Sequence, residues 1–285
     1  MKLRFWGVRG SIPVPGPQTS RYGGNTSCIE ISNDEHVLVL DCGTGARELG
    51  HQLLMEGPRR GLDIFFTHLH VDHVFGFPFF GPIFAPSRRI NVSVPAHSPD
   101  ECRDLLARFL NGVNHPLRLH LIPAELRFGN TRPGKTRESG PFEVTPIRLN
   151  HPGGSLGYRV TDGKSTVLYL TDTAPLAKVG EGIASGTRPP AHERSVVEAM
   201  AGADVVVMDT MFSWEEYLEK MTWGHAYPEY GVALAKAAQV KHLVLFHHAP
   251  TSSDEDLDML ARKWDGHTEP LVTLAREGVV IDLEG

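Results

Sequence analysis

Three imidazoles and a carboxylate fall within the six residues His68-Leu69-His70-Val71-Asp72-His73. Neutral imidazole nitrogens beside a hard carboxylate oxygen are the donors that Zn²⁺ and other divalent first-row ions accept. In an extended or turning segment side chains alternate with period two, so His68 and His70 face the same way. Asp72 and His73, on the turn that follows, are placed to serve a second ion beside the first. A solvated His-rich loop would carry the same letters, but here an apolar run, Leu62 to Phe66, leads straight into the cluster through Thr67. Three more residues of ligand type also follow apolar runs: His151 after Leu149-Asn150, Asp172 after Leu170-Thr171, and His247 after Phe246. Each alone reads as a surface histidine or a turn aspartate. Together they put a metal-type residue at four strand ends, and in layered α/β folds ligands collect at the carboxyl ends of strands. Two ions about 3.5 to 4 Å apart can hold a hydroxide between them and balance charge on an attacked phosphorus, so the expected chemistry is hydrolysis of a phosphodiester.

The elements that must carry these residues follow from hydrophobic spacing. Apolar runs bounded by Gly, Pro or Asn recur at Leu3 to Trp6, Val37 to Leu40, Leu62 to Phe66, Ile90 to Val94, Phe142 to Leu149, Thr166 to Leu170, Val205 to Met208 and Leu243 to Phe246, which predicts strands. Helical spacing marks Ala46 to Met55, Pro99 to Leu110, Ala191 to Ala201, Pro228 to Gln239 and Asp254 to Trp264. The class is α/β, with a strand-rich first third and alternating strand and helix later. No Ser/Gly-rich linker divides the chain, so residues 1–285 read as a single layered domain. Thr131 to Gly140 and Gly180 to Pro190 read as surface loops or hairpin tips.

Composition sets the outer limits. The chain has 285 residues, 41% of them hydrophobic and 22% charged, with 3 Cys, which excludes disorder, a collagen-like rod and a disulfide scaffold. Cys28, Cys42 and Cys102 form no CxxC and are odd in number, so they read as reduced thiols in the cytoplasm. The opening MKLRFWGVRG lacks the apolar stretch of roughly 7 to 15 residues that a signal peptide needs, and Gly or Pro interrupts Val74 to Pro86; no leader and no membrane span are expected. A net charge of −6 argues against a broad basic face for nucleic acid.

In order, His68-x-His70-x-Asp72-His73, His151, Asp172 and His247 resemble the metallo-β-lactamase fold superfamily over most of the chain. The resemblance implies a four-layer αββα sandwich, with His68, His70 and His151 around one metal, Asp72, His73 and His247 around the other, and Asp172 bridging. All seven positions together look like the phosphodiesterase side of the superfamily rather than a β-lactamase, whose second site usually contains Cys. Asp209-Thr210-Met211-Phe212 and Gly224-His225-Ala226 are similar to the segment of ribonuclease Z and its phosphodiesterase relatives that brings an acid and a histidine to the leaving group. Asp209 stands where ribonuclease Z has Glu, and Ala226 where Ser or Thr is usual. The resemblance thus makes Asp72, His225 and Asp209 the catalytic set. Phe5-Trp6-Gly7-Val8-Arg9-Gly10-Ser11, Arg21 to Cys28 and Leu40-Asp41-Cys42-Gly43-Thr44-Gly45 look like bacterial homologues described as cyclic-phosphate phosphodiesterases.

The expectation is therefore a binuclear metal-dependent phosphodiesterase acting on a small cyclic nucleotide or cyclic ribose phosphate. Zn²⁺ is the first choice of metal, with Mn²⁺ or Fe suited to the same ligands. The alternatives are a tRNA 3′-processing endoribonuclease, for which no Gly-rich, Lys/Arg-rich insertion is visible, a lactone or thioester hydrolase, and a nucleic-acid-binding module with a structural metal. The expected partner is a small-molecule phosphodiester, not nucleic acid; a homodimer follows only by analogy with relatives. Asp41 reads either as an acceptor that orients a ligand histidine or as a turn residue. Thr44 reads as a phosphate contact or a helix cap, Arg9 and Asn25 as phosphate contacts or loop polarity, and Val74 to Phe80 as a pocket wall, a partner face or core. His248 would face away from its neighbour His247 if the strand continues.

Overall fold

The computed structural model describes residues 1–58, 60–113 and 115–283. Two seven-stranded sheets lie face to face. The first is ordered β14-β1-β2-β3-β4-β5-β6, from β1 (Lys2–Gly7), β2 (Cys28–Ser32), β3 (His36–Leu40), β4 (Gly61–Phe65), β5 (Arg89–Pro95), β6 (Glu125–Thr131) and β14 (Val280–Asp282). The second is ordered β13-β12-β11-β10-β9-β8-β7, from β7 (Arg137–Ser139), β8 (Phe142–Arg148), β9 (Leu156–Thr161), β10 (Thr166–Leu170), β11 (Val205–Asp209), β12 (His242–Phe246) and β13 (Leu271–Leu274). Each sheet begins as an antiparallel meander and continues parallel, from β3 to β6 and from β10 to β13.

Period-two alternation explains the layering. Leu38 and Leu40 of β3 enter the core between the sheets while Val37 and Val39 pack outward. In the second sheet Val167, Tyr169, Val244 and Phe246 point inward, and Leu168, Leu170, Leu243 and Leu245 outward. Strands buried on both faces read as continuous apolar runs, and helices must cover the outer faces. The helices are α1 (Ala46–Glu56), α2 (Val71–Val74), α3 (Pro99–Ala107), α4 (Ala191–Met200), α5 (Trp214–Glu219), α6 (Pro228–Ala237) and α7 (Asp254–Lys263). Ala46, Leu49 and Leu53 of α1 and Cys102 and Leu106 of α3 cover the first sheet; Val196 and Met200 of α4 and Leu234 and Ala235 of α6 cover the second. The result is the expected αββα sandwich.

Several expectations need correction. Thr131 to Gly140 is not all loop: it contains the end of β6 and the edge strand β7. Arg9 is fully buried and donates to the carbonyls of Gly23 (2.8 Å), Ala249 (3.2 Å) and Ser252 (2.6 Å), so it ties loops together rather than lending polarity to an exposed loop. Asn25 is engaged by Glu277 at 3.0 Å. Thr44 neither caps α1, whose N-cap is Gly45, nor stands free: its hydroxyl accepts from the Thr26 N–H and donates to Asn25 Oδ1. In Val74 to Phe80, Val74, Phe77 and Phe80 are core, while Phe75 and Phe79 are half-exposed. All three cysteines are buried and unpaired. Among the described residues no helix is long and apolar enough to cross a membrane.

Candidate metal centre

Parallel pairing in register aligns the carboxyl ends that carry the ligand-type residues. Leu40 pairs with Phe65 in the first sheet; Leu170 pairs with Met208, and Asp209 with Phe246, in the second. Three of these ends turn through the left-handed region at a residue other than glycine: Asp41 (φ 62°), Asp172 (φ 57°) and His247 (φ 63°). That conformation costs energy for an L-residue and collects at functional sites. Here it turns each side chain back over the edge of the sandwich.

Two four-residue groups of donor atoms result, each with all its atoms within 4.8 Å of one another: His68, His70, His151 and Asp172, then Asp72, His73, Asp172 and His247. Asp172 belongs to both. Its Oδ2 lies 3.7 Å from His68 Nε2 and 3.5 Å from His151 Nε2, and its Oδ1 lies 3.0 Å from His73 Nε2 and 3.1 Å from His247 Nε2. Asp72 Oδ2 is 3.3 Å from His73 Nε2 and 3.5 Å from His247 Nε2. Two ligand atoms about 2.1 Å from one tetrahedral ion stand about 3.4 Å apart, which is the spacing found. Among the described residues the buried Nε2 atoms of His68, His73 and His247 have no hydrogen-bond partner, although carboxylates lie this close. Orphaned buried nitrogens are costly, and their convergence on shared carboxylates fits a pair of divalent ions.

The far sides of the rings are held. Asp41 Oδ2 is 2.8 Å from His73 Nδ1, and the same carboxylate accepts from the Thr67 N–H (2.8 Å), the Thr67 hydroxyl (2.9 Å) and the Tyr169 hydroxyl (3.1 Å). Asp41 therefore does more than turn the chain: it fixes a ring tautomer. His151 Nδ1 donates to the Gly224 carbonyl at 2.9 Å, and Thr67 Oγ1 lies 3.0 Å from His68 Nδ1. The Ser11 N–H donates to Asp72 Oδ2 at 2.8 Å. Burial holds His68 and His151 below the usual histidine range, so both rest as the neutral imidazoles that ligate. Burial opposes the charges on Asp72 and Asp172 too, but the surrounding histidines hold both carboxylates well below their ordinary range.

Beside the second group sits an acid–imidazole pair. Asp209 Oδ2 is 2.7 Å from His225 Nδ1, and the His225 ring stacks on His247 at 5.0 Å. Burial pulls the imidazolium down, yet the Asp209 carboxylate outweighs it and raises His225 to about 9. His248 turns away and bonds the Ala275 carbonyl at 2.8 Å, leaving His247 at the centre.

A model described as a beta-lactamase superfamily domain matches residues 36–248, a span that holds every one of these side chains. The chain belongs to the beta-lactamase superfamily. Its fold is the metallo-β-lactamase fold, and it is a hydrolase of that superfamily. A protein named ribonuclease Z from Lacticaseibacillus casei is 26% identical over 287 residues, covering 87% of this chain and 84% of its own. Among solved structures, the metallo-beta-lactamase fold protein YhfI from Bacillus subtilis superposes with a TM-score of 0.72 at 18% identity, covering 98% of both chains. The short form of human tRNase Z gives 0.69 at 20% identity, covering 99% of both.

Contacts that the spacing of ligand residues does not announce complete this superfamily centre. A Cβ on Gly10 would lie 2.5 Å from the His247 ring, and one on Gly224 would lie 2.3 Å from His151 Nδ1. Both glycines stand in quoted motifs, Arg9-Gly10-Ser11 and Gly224-His225-Ala226, whose significance is close approach.

Proposed function

We propose that the chain is a binuclear metal-dependent phosphodiesterase that cleaves a small phosphodiester, a cyclic nucleotide or a cyclic ribose phosphate. His68, His70 and His151 would hold one ion and Asp72, His73 and His247 the other, with Asp172 the residue common to the two donor groups. The observation that carries this reading is how the Asp172 carboxylate is divided, with Oδ2 facing the first group and Oδ1 the second. Zn²⁺ suits the donor set best, and Mn²⁺ or Fe could take the same atoms. Bound there, two divalent ions would supply a water acidic enough to attack near neutral pH and positive charge opposite the phosphorus.

The protein groups do the rest. Ser11 N–H and Asp41 keep Asp72 and His73 in place, so the frame is set before substrate arrives. His225, charged below about pH 9, holds a proton on Nε2 for the leaving oxygen, while Asp209 fixes Nδ1 and stabilises the charge. The ring's position over His247 puts that proton beside the Asp72–His73–Asp172–His247 group.

The resemblance to proteins named ribonuclease Z supports a second reading, an endoribonuclease acting on a tRNA 3′ end. Metal-quantified protein assayed against 2′,3′- and 3′,5′-cyclic nucleotides, a cyclic ribose phosphate, bis(p-nitrophenyl) phosphate, precursor tRNA and a lactone decides between them. Turnover of a cyclic diester with two metals per chain supports the proposal. Cleavage of only the tRNA or only the lactone would overturn the substrate class.

A further inference from the structure

Next to the centre lies a cleft of about 510 Å³ that none of the residues above accounts for. Its size falls in the range of small-molecule sites. It opens where the sheets meet: His97 comes from the segment after β5, Arg132 from the segment after β6, and Arg148 from the end of β8. Two features join it to the metal centre. Gly153 forms its wall and would bring a Cβ within 3.8 Å of His70 Nε2, and Ser155 on its floor donates to the Asp172 carbonyl at 2.8 Å. Gly153 and Gly154 turn with φ of 81° and 87°, and a Cβ on Gly154 would meet nothing within 4 Å. The cleft wall nearest His70 is therefore bare backbone at Gly153 and Gly154, which lets a ligand approach it closely.

The electrostatics of the cleft oppose those of the whole chain. In a protein of net charge −6, the cleft presents two exposed guanidinium groups against one carboxylate, Glu101, which already accepts from the His97 N–H. Arg132 donates to the His97 carbonyl, and neither Arg132 nor Arg148 meets a carboxylate among the described residues. Neither guanidinium is thus neutralised by a carboxylate among the described residues, and Arg132 commits only one nitrogen, to a backbone carbonyl; two such groups in one concavity suit a phosphate, which arginine binds through parallel N–H donors.

We infer that this cleft is a subsite for a second phosphate, so that the preferred ligand carries a terminal phosphomonoester beside the diester at the metals. The inference rests on the phosphodiesterase reading and narrows it: the substrate is a phosphorylated nucleotide-type diester rather than a bare cyclic monophosphate.

Titration calorimetry tests it with zinc-loaded protein and two ligands, thymidine 5′-phosphate and thymidine 3′,5′-bisphosphate. The expected result is that the bisphosphate binds at least tenfold more tightly, and that Arg132→Gln/Arg148→Gln brings the two ligands within twofold of each other. Equal affinity in the parent protein would overturn the subsite, and so would a preference that survives in the double variant. The single variants Arg132→Gln and Arg148→Gln replace the double variant if it fails to fold: each should reduce the preference, and a parent-like preference in both would overturn the subsite. Hydrolysis of bis(p-nitrophenyl) phosphate by the same preparation tests the phosphodiesterase reading separately, since that compound has nothing to place in the cleft; absent turnover with a retained bisphosphate preference would sink the activity and leave the anion site standing.

Discussion

Gly10→Ala adds one methyl group and should disturb the Asp72–His73–Asp172–His247 group, proposed to hold the second ion. The new Cβ would stand 2.5 Å from Cε1 and Nδ1 of His247 and 2.3 Å from Cε of Met211, where ordinary contact begins at 3.4 Å. The Met211 methyl can swing aside. The backbone at Gly10 cannot, because its N–H donates to the His248 carbonyl at 3.1 Å, the His248 N–H returns to Val8 at 2.9 Å, and Arg9 clamps the same loop to Ala249 and Ser252. The imidazole must retreat by about 0.9 Å, several times the ~0.2 Å within which a metal–nitrogen distance is set. Misplacement on the order of 1 Å costs about a hundredfold in rate. The expected variant folds, binds its second ion far more weakly, and loses about a hundredfold in kcat/KM on bis(p-nitrophenyl) phosphate. Metal content by mass spectrometry across a chelator series, beside the kinetics, checks both halves. Parent-like metal affinity with turnover within twofold would show that the loop yields rather than the ring, and would refute the reasoning.

Three other substitutions probe the same framework. Asp209→Asn removes the charge that raises His225, so the alkaline limb of kcat, where activity falls as His225 loses its proton, should move to lower pH; an unmoved limb in a pH–rate profile would disconnect the pair from turnover. Asp41→Asn should weaken metal binding roughly 10- to 100-fold by loosening His73, read by competition with a fluorescent chelator. Arg9→Met strands two buried carbonyls and a third that is partly buried, at a cost of roughly 3 kcal/mol, or about 5 °C or more in Tm for a chain of this length, and calorimetry that finds no change would discount the clamp.

What could be read from the letters depended on how locally each feature is encoded. The approach of β4 to Thr67 and the cluster behind it is contiguous, and β10, β11 and β12 are apolar on both faces, so they stand out. β2 is harder because Glu30 interrupts it; in the structure that carboxylate is buried and accepts from the Trp6 indole at 3.0 Å. β9 carries Gly157 and Arg159, and β7 and β14 are three-residue edges with no periodicity to detect. α5 has a legible signal, Ser213 and Glu216 in a reciprocal capping box, but spans only six residues. The seven ligand-type residues could be gathered because strand ends converge. The left-handed turns at Asp41, Asp172 and His247, the Ser11 N–H on Asp72 and the clamp at Arg9 depend on distant backbone, and no local pattern announces them.

Each donor group draws on both sheets: His68 and His70 meet His151, and Asp72 and His73 meet His247, with Asp172 common to the two. An ion seated in either group is thus also a cross-link, joining chain positions as far apart as 72 and 247 across the edge of the sandwich. Like any tie between distant segments, it restricts the unfolded chain as well as holding the folded one, provided the metal stays bound. Resistance to proteolysis and to heat should therefore follow metal supply, with the two sheets parting first at the edge where hydrolysis is proposed to take place.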